Sequence, residues 1–460
     1  MNRNTINKKE WLRDPFRAAM MATPKGKAAW GLLGALCVLF FLAAFRILDA
    51  AHVEGALTVA LLGAAGVAIL MLGMKRALEE DGHNTIVFLC FAGLAMLAVA
   101  GHLGMLDIKP GRMVNVLQPL LDDMWNYELI TAFSWADDGW TGVYLFVCGL
   151  VSWLETFSQM YALKLFDMLC QCLCGAAVLK LVRVRGGSAA AGAAAMIACV
   201  LAPTMLMNAG CWVQCDATFA MFTLWGLYFL LSGKPLAGCV LWGLALGTKL
   251  QSAFLFPLLI VLFMDRKLSL RHLLALFAAF FLSQIAFVID GQGIATVFDR
   301  YAVQLAAARS AYGLADHAPG VFSLMIIASV REFSGMGLYL GIAAALVVVS
   351  ALLRSRRKLT GEILLLASLL LACGLPLVLP QMNARCLYLA GMLAFACAGN
   401  AKRFAVAVVL ELASLCSYME AIFGLTLIPM NVLSLMVIGA AVLVAVELAA
   451  LITRPEEEKA

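Results

Sequence analysis

Between residues 106 and 160 the chain gathers Asp107, the adjacent pair Asp122 and Asp123, Glu128, and a second pair, Asp137 and Asp138. Trp125, Tyr127, Trp135 and Trp140 are interleaved with them. A carboxylate can take a proton from a hydroxyl, and an aromatic face can stack on a sugar ring. The same residues also read as a solvated acidic loop with interfacial aromatics. A second grouping is Cys211-Trp212-Val213-Gln214-Cys215-Asp216. An aspartate at the mouth of an apolar helix needs a partner or a task; capping the helix that follows is one such task, facing a substrate with Gln214 is another. A third is Gly247-Thr248-Lys249-Leu250-Gln251, between two short apolar runs. Here Lys249 is a point charge that suits a lipid phosphate, or a snorkelling ammonium. Gly243, Gly247, Thr248 and Gln251 predict close packing around it. Last comes the segment 380–388, where Arg385 can grip a phosphate bidentately or pair with an aspartate, three residues before Tyr388. His317 has no partner in sequence and reads as a surface residue. Lys164 and Asp167 lie one turn apart and can pair with each other.

The elements that must carry these groups are membrane helices. Hydrophobic residues make up 63% of the 460 and charged residues 13%, whereas soluble domains run at about 45–50% and about 25%. The apolar residues come in blocks long enough to cross a hydrocarbon layer about 30 Å thick. A backbone in lipid must satisfy its own hydrogen bonds, and no alternating strands suggest a barrel. The class expected is an all-α integral membrane protein with about 12–14 transmembrane helices, at 29–49, 56–75, 85–105, 161–182, 188–208, 214–232, 235–248, 251–264, 271–290, 335–353, 361–379, 386–399, 403–424 and 428–452.

Charge placement orients these spans. The first 27 residues hold Arg3, Lys8, Lys9, Arg13, Arg17, Lys25 and Lys27 without an apolar core, which reads as a basic cytoplasmic tail (1–28) and not a cleavable signal. Alternating the spans from there puts Lys75-Arg76, Lys180, Arg183, Arg185, Lys234, Arg266, Lys267, Arg271, Arg354, Arg356, Arg357, Lys358, Lys402, Arg403 and Arg454 on the cytoplasmic side. The aspartates Asp107, Asp122, Asp123, Asp137, Asp138, Asp216, Asp290 and Asp316 fall on the other. Both termini are then cytoplasmic, with a short tail at 453–460, and the outer segments 106–160 and 291–334 are long enough to be functional. The first holds an apolar stretch, 143–153, too short to span and suited to an interfacial helix beside Trp140, Tyr144 and Trp153. The net charge of +5 is modest and carries no nucleic-acid signal. The 14 cysteines, including the Cys170, Cys172, Cys174 run, lie mostly in apolar blocks and read as small hydrophobes; their spacing suits no zinc site.

In this order the landmarks resemble the polytopic glycosyltransferases of the GT-C fold, and most closely the bacterial mannosyltransferase-like proteins related to GPI mannosyltransferase II. The turn at 212–216 looks like that family's W-G-Q-x-D, with Val213 in place of glycine. Residues 243–257, GLALGTKLQSAFLFP, are similar to its G-L-A-x-x-x-K-x-Q…P segment. Leu163-Lys164-Leu165-Phe166-Asp167 resembles the start of the span after its first loop, and residues 138–144 its aromatic turn. The family's M-H-E-R-Y-x-Y is Met382-Asn383-Ala384-Arg385-Cys386-Leu387-Tyr388 here, keeping Arg385 and Tyr388 without the histidine and glutamate. Where its catalytic aspartate belongs, Arg112 stands.

The resemblance spans about residues 85–425 and implies a GT-C-like domain over 85–452, with 29–80 as an added helix pair. It implies a transferase at the outer face of a bacterial cytoplasmic membrane. Such an enzyme moves a hexose, mannose-like, from a polyprenyl-phosphate donor to a glycan or other envelope acceptor, with no further cofactor and no metal. Asp122, Asp123 or Asp107 would serve as base. Lys249, Arg385, Tyr388, Gln214, Asp216, Gln251 and Trp140 would bind the donor and substrate. The alternative is a lipid-linked saccharide flippase or a non-catalytic envelope protein of the same fold; against a flippase, few polar residues lie at mid-span.

Overall fold

A computed structural model describes residues 24–80, 85–111, 113–126, 141–154, 158–289, 293–312, 314–325 and 330–453. Those residues are almost entirely helical, and the chain is an all-α integral membrane protein. Among them, eight helices are long and apolar enough to cross a membrane, or nine if the bent pair Ala189–Leu201 and Pro203–Trp212 is one span. Five further apolar segments that the sequence suggests as spans are shorter: Asp216–Leu231, Pro235–Thr248, Leu250–Met264, Leu270–Ser283 and Tyr388–Cys397. At 1.5 Å per residue, a 14-residue helix covers about 21 Å, short of the hydrocarbon thickness. Pro235–Thr248 packs between Asp216–Leu231 and Leu270–Ser283, and all residues of Tyr388–Cys397 are buried.

Helix α1 (Pro24–Ala50) packs on α2 (Ala56–Glu80), and α3 (Thr85–Leu103) follows. Of the first three, α1 is the most exposed. Val59, Val67, Leu70 and Met74 of α2 are fully buried, and Gly66 is close enough to α6 (Gln159–Val184) that a side chain there would touch Cys172 and Met168. Helix α6 is the central pillar. Its Met168, Cys172 and Leu179 join the core built by the first three helices, while Cys174, Val178 and Leu181 join the larger core of the C-terminal helices. The cysteine run therefore packs as apolar side chains, and all 14 cysteines are free thiols.

Among the described residues, neither of the long segments 106–160 and 291–334 is a plain loop. The first contains α4 (Gln118–Asn126) and α5 (Gly142–Ser152). Helix α5 buries Tyr144, Leu145, Cys148 and Val151, and exposes Phe146 and Leu150, so it is apolar on both faces. The second contains an 18-residue helix, Ala295–Tyr312, and the strand β1 (Ala315–Asp316). β1 pairs in parallel with β2 (Met382–Asn383), Ala315 against Met382.

The two ends of the bundle differ in chemistry. At one end Arg403 bridges Glu362 (2.7 Å) and Glu447 (2.6 Å). There Arg185 donates to the Ala396 carbonyl and Lys267 to that of Leu359. The helix Gly361–Val378 starts at this end and leads to β2 and Arg385 at the other.

Candidate functional site

At that second end three segments converge because of one helix break. Pro203 ends α7 (Ala189–Leu201), since it lacks an N–H and clashes with the preceding turn. The chain bends by 44° into α8 (Pro203–Met207). Glu411, from the long helix α18 (Ala401–Phe423), accepts from the Thr204 N–H (3.0 Å) and hydroxyl (2.6 Å), which satisfies donors that the break frees. A π-helical turn, Asn208–Trp212, follows and ends at Val213 in the left-handed region, φ 46°. A β-branched residue is strained there. The Tyr144 hydroxyl donates to the Val213 carbonyl (3.0 Å), and the Val213 N–H donates to that of Asn208 (2.9 Å). This turn aims Gln214 and Asp216 inward at the start of α9 (Asp216–Leu231).

Asp216 is wholly buried. It is the first residue of α9 and makes no cap bond; its carboxylate instead holds two cations. Oδ1 pairs with Lys249, and Oδ2 pairs with Arg385 at 2.7 Å. Arg385 also donates to the Gln214 side-chain oxygen. Asn208 donates to Asp216 (3.3 Å) and to the Tyr418 hydroxyl (3.1 Å). The Arg385 guanidinium lies 5.0 Å from the Trp212 ring centre, and Trp212 stands edge-on to Tyr418.

Lys249 is placed by close helix packing. It terminates α10 (Pro235–Thr248), and a side chain on Gly243 would collide with the Leu276 carbonyl of α12 (Leu270–Ser283). Gln284 then accepts from the Gly142 N–H (2.8 Å) and donates to the Gly247 carbonyl (2.8 Å). The Thr141 hydroxyl donates to the Thr248 carbonyl at 2.6 Å. Lys249 keeps 15% of its side chain exposed, more than Arg385 or Asp216.

Of the residues singled out in the sequence, Gln214, Asp216, Lys249 and Arg385 thus form one contact network. Gln251 is half-buried one turn on and makes no hydrogen bond with the described residues. Tyr388 belongs to a different buried chain: Gln171 donates to its hydroxyl (3.0 Å) and lies 2.5 Å from His102. His102, in the last turn of α3, is buried, with one ring nitrogen 2.9 Å from the Ala98 carbonyl. Trp140 lies outside the described residues, as do Tyr127, Glu128, Trp135, Asp137 and Asp138.

The loop carboxylates stand apart from the cluster. Asp122 and Asp123 are exposed on α4, and Asp122 accepts from Gln118 at 2.9 Å. Asp107 accepts from the Tyr161 hydroxyl. It lies two residues past Met105, which packs on Gly210, and Gly210 is two residues before Trp212. Asp107 is thus joined by packing to the turn that carries Trp212. Lys164 and Asp167 do not pair. Lys164 donates to the carbonyls of Met105 (2.8 Å), Leu106 (2.7 Å) and Ile108 (2.6 Å), at the open end of α3. Asp167 is buried with neither oxygen hydrogen-bonded, on the same helix and within electrostatic range of Asp216.

Asn208, Tyr418 and Gln171 are missing from the sequence reading of the site, which weighed Asp167 only as a partner for Lys164. The signal for Asn208 was available, as a polar residue just before the Trp212 turn. Tyr418 and Glu411 sit seven residues apart, on one face of α18. Compared with known proteins, the chain matches no family model and no curated relative.

Proposed function

We propose that the chain is a membrane sugar transferase that takes a hexose from a polyprenyl-phosphate donor. The acceptor would lie at the outer face of a bacterial cytoplasmic membrane. The observation that carries this reading is the Asp216, Lys249, Arg385 cluster: two cations share one buried carboxylate, leaving one positive charge at a poorly solvated position. Such an excess charge favours an arriving phosphate monoanion or diester. The GT-C-like motif order is the second support, and the gathering of basic residues at the opposite end supports the orientation.

In the reaction the acceptor oxygen attacks the anomeric carbon, the bond from that carbon to the donor phosphate oxygen breaks, and the phosphate leaves with the electron pair. Lys249 and Arg385 stabilise the charge that develops on it. A loop carboxylate receives the acceptor's proton, and the displacement inverts the anomeric centre. The packing that links Asp107 to the Trp212 turn favours it over Asp122 and Asp123 for that task. Gln159, beside Asp122, is eight residues from Asp167 on α6, about 12 Å along the helix axis.

The test is transfer from radiolabelled polyprenyl-phosphate sugars in membranes carrying wild type, Asp107→Asn, Asp122→Asn, Asp123→Asn or Lys249→Ala. Transfer by wild type, abolished by one Asp→Asn change in a normally inserted protein, supports the reading and names the base. If no donor supports transfer, the reading fails. The near-complete burial of Arg385 favours one other reading, a non-catalytic envelope protein whose ion cluster only holds helices together. Failure of Lys249→Ala to insert, with no wild-type transfer, points there.

A further inference from the structure

Asp167 is the charged residue beside the ion cluster that the cluster does not use. It is 1% exposed, and neither carboxylate oxygen has a hydrogen-bond partner among the described residues. Helices α6 and α9 pack together, and both start at the end of the bundle that holds the cluster. Cys170 of α6 meets Thr218 of α9 at 3.9 Å. Asp167 lies one turn before Cys170, and Asp216 lies two residues before Thr218, so the two carboxylates share a level. They are within electrostatic range of each other. Lys164, the nearest cation on α6, is held by three backbone carbonyls instead.

The groups that face Asp167 supply no positive charge. From α5 come Tyr144 and Cys148, from the start of α9 Cys215 and Asp216, and from the helix Tyr388–Cys397 comes Tyr388. Cys170 lies on α6 itself, Cys211 of the π-helical turn lies nearer Lys164, and His102 of α3 is bonded to Gln171. Residues 56–74 of α2 and all of α7 are uncharged. The one charged residue of the helix Gly361–Val378 is Glu362, at the opposite end with Arg403. An ionised carboxylate without a donor or a cation is costly in such an interior. No three metal-ligating side chains converge among the described residues, so the cation that fits is a proton. Its presence changes the charge of the whole group. Lys249 and Arg385 against Asp216 leave one positive charge, and an ionised Asp167 would cancel it.

We propose that Asp167 is a proton-binding site that controls the anion site beside it: the protonated form lets the cluster take a phosphate diester, and the ionised form opposes it. This inference rests on the anion-binding reading of Lys249 and Arg385. The proton comes from solvent as the anion docks and returns there when it leaves, with no bond in the ligand changed. The probe is farnesyl methyl phosphate, a diester whose single charge is fixed from mildly acidic to alkaline pH. It is titrated into the full-length protein in nanodiscs and into empty nanodiscs. Calorimetry in buffers of different ionisation enthalpy then counts the protons taken up per anion bound.

Wild type should take up close to about one proton where uptake is largest, and its affinity should fall there by up to about tenfold per pH unit. Asp167→Asn, fixed in the neutral form, should bind without proton uptake and keep its affinity within about threefold over the same range. Infrared difference spectra read the group without ligand: a carboxylic acid band should fade as pH rises and be missing in Asp167→Asn. Diester binding by wild type without proton uptake overturns the proposal, and that result depends on no variant folding. Uptake that persists in Asp167→Asn also overturns it, assigning the proton to Lys249 or Cys215, as does affinity that follows sodium in place of pH. Both results leave the anion site of the proposed function standing. A diester that binds neither protein at any pH removes that anion site and the coupling with it, while a titrating acid band would keep the proton on Asp167.

Discussion

Asp216 shows how far one buried carboxylate can organise its surroundings. It holds Lys249 and Arg385 together with no exposure of its own, so removing its charge leaves two cations facing each other in a poorly solvated pocket. Breaking such a pair from one side costs about 3–5 kcal/mol, mostly through the charge left behind. Asp216→Asn should therefore lower the stability of the purified protein by that much, read from unfolding in detergent. The double variant Asp216→Asn with Lys249→Met should recover part of the loss, because one of the stranded cations is gone. Lys164 gives a second case. Its ammonium meets three backbone carbonyls beyond the end of α3, and Lys164→Met would strip all three of a charged donor. A loss of about 2–4 kcal/mol is expected from hydrogen bonds of that class, accompanied by faster proteolysis at residues 104–111. Unchanged stability would show that water replaces the ammonium there.

Among the elements, the contact between α10 and α12 is the one most sensitive to a single methyl group. Backbone meets backbone at Gly243, where an added Cβ would strike the Leu276 carbonyl. Gly243→Ala must push the helices apart, and with them the Gln284 bonds that fix the end carrying Lys249. We expect a loss of about 1–3 kcal/mol. Gly439→Ala, on a helix face with open space around it, is the internal comparison. It should be neutral or stabilising by up to about 1 kcal/mol, from helix propensity alone. Equal effects at both positions would refute the close-packing argument. The glycine pattern in 243–247 was readable in the sequence. The broken helix at Pro203 was harder to read, because one proline inside an apolar block does not say what satisfies the freed N–H groups. That partner, Glu411, lies 207 residues away.

For the whole molecule, charge distribution makes the topology testable. The clustered basic residues, from Arg185 through Arg403, should face the cytoplasm, and α4 with its carboxylates should face outward. A reporter enzyme active only outside the cytoplasm, fused after residue 111, should be active; fused after residue 358 it should be silent. The reverse pattern would invert the orientation and remove the outer-face transferase with it. The same experiment addresses the short helices. A fusion after residue 249 should be active and one after residue 267 silent if Pro235–Thr248 and Leu250–Met264 form a hairpin that reaches the outer side.

By itself the sequence determined the class of the protein, because 63% apolar residues in long blocks leave helices in a membrane as the solution. It also determined which polar residues stand at helix ends, since a charge placed inside an apolar block is costly and therefore conspicuous. It did not determine pairing. Asp216, Lys249 and Arg385 lie 33 and 169 residues apart, and each had a local alternative: a helix cap, a snorkelling ammonium, a loop partner. Only the bend at Pro203, the glycine contact of α10 with α12 and the strand pairing at Met382 bring the three together. Lys164 and Asp167 show the converse. Their spacing suits a pair, yet the carbonyls of Met105, Leu106 and Ile108, just past the end of α3, take the lysine and leave the aspartate alone. Side-chain partners depend on which backbone groups remain unsatisfied nearby in space, and that accounting closes only when the helices are packed.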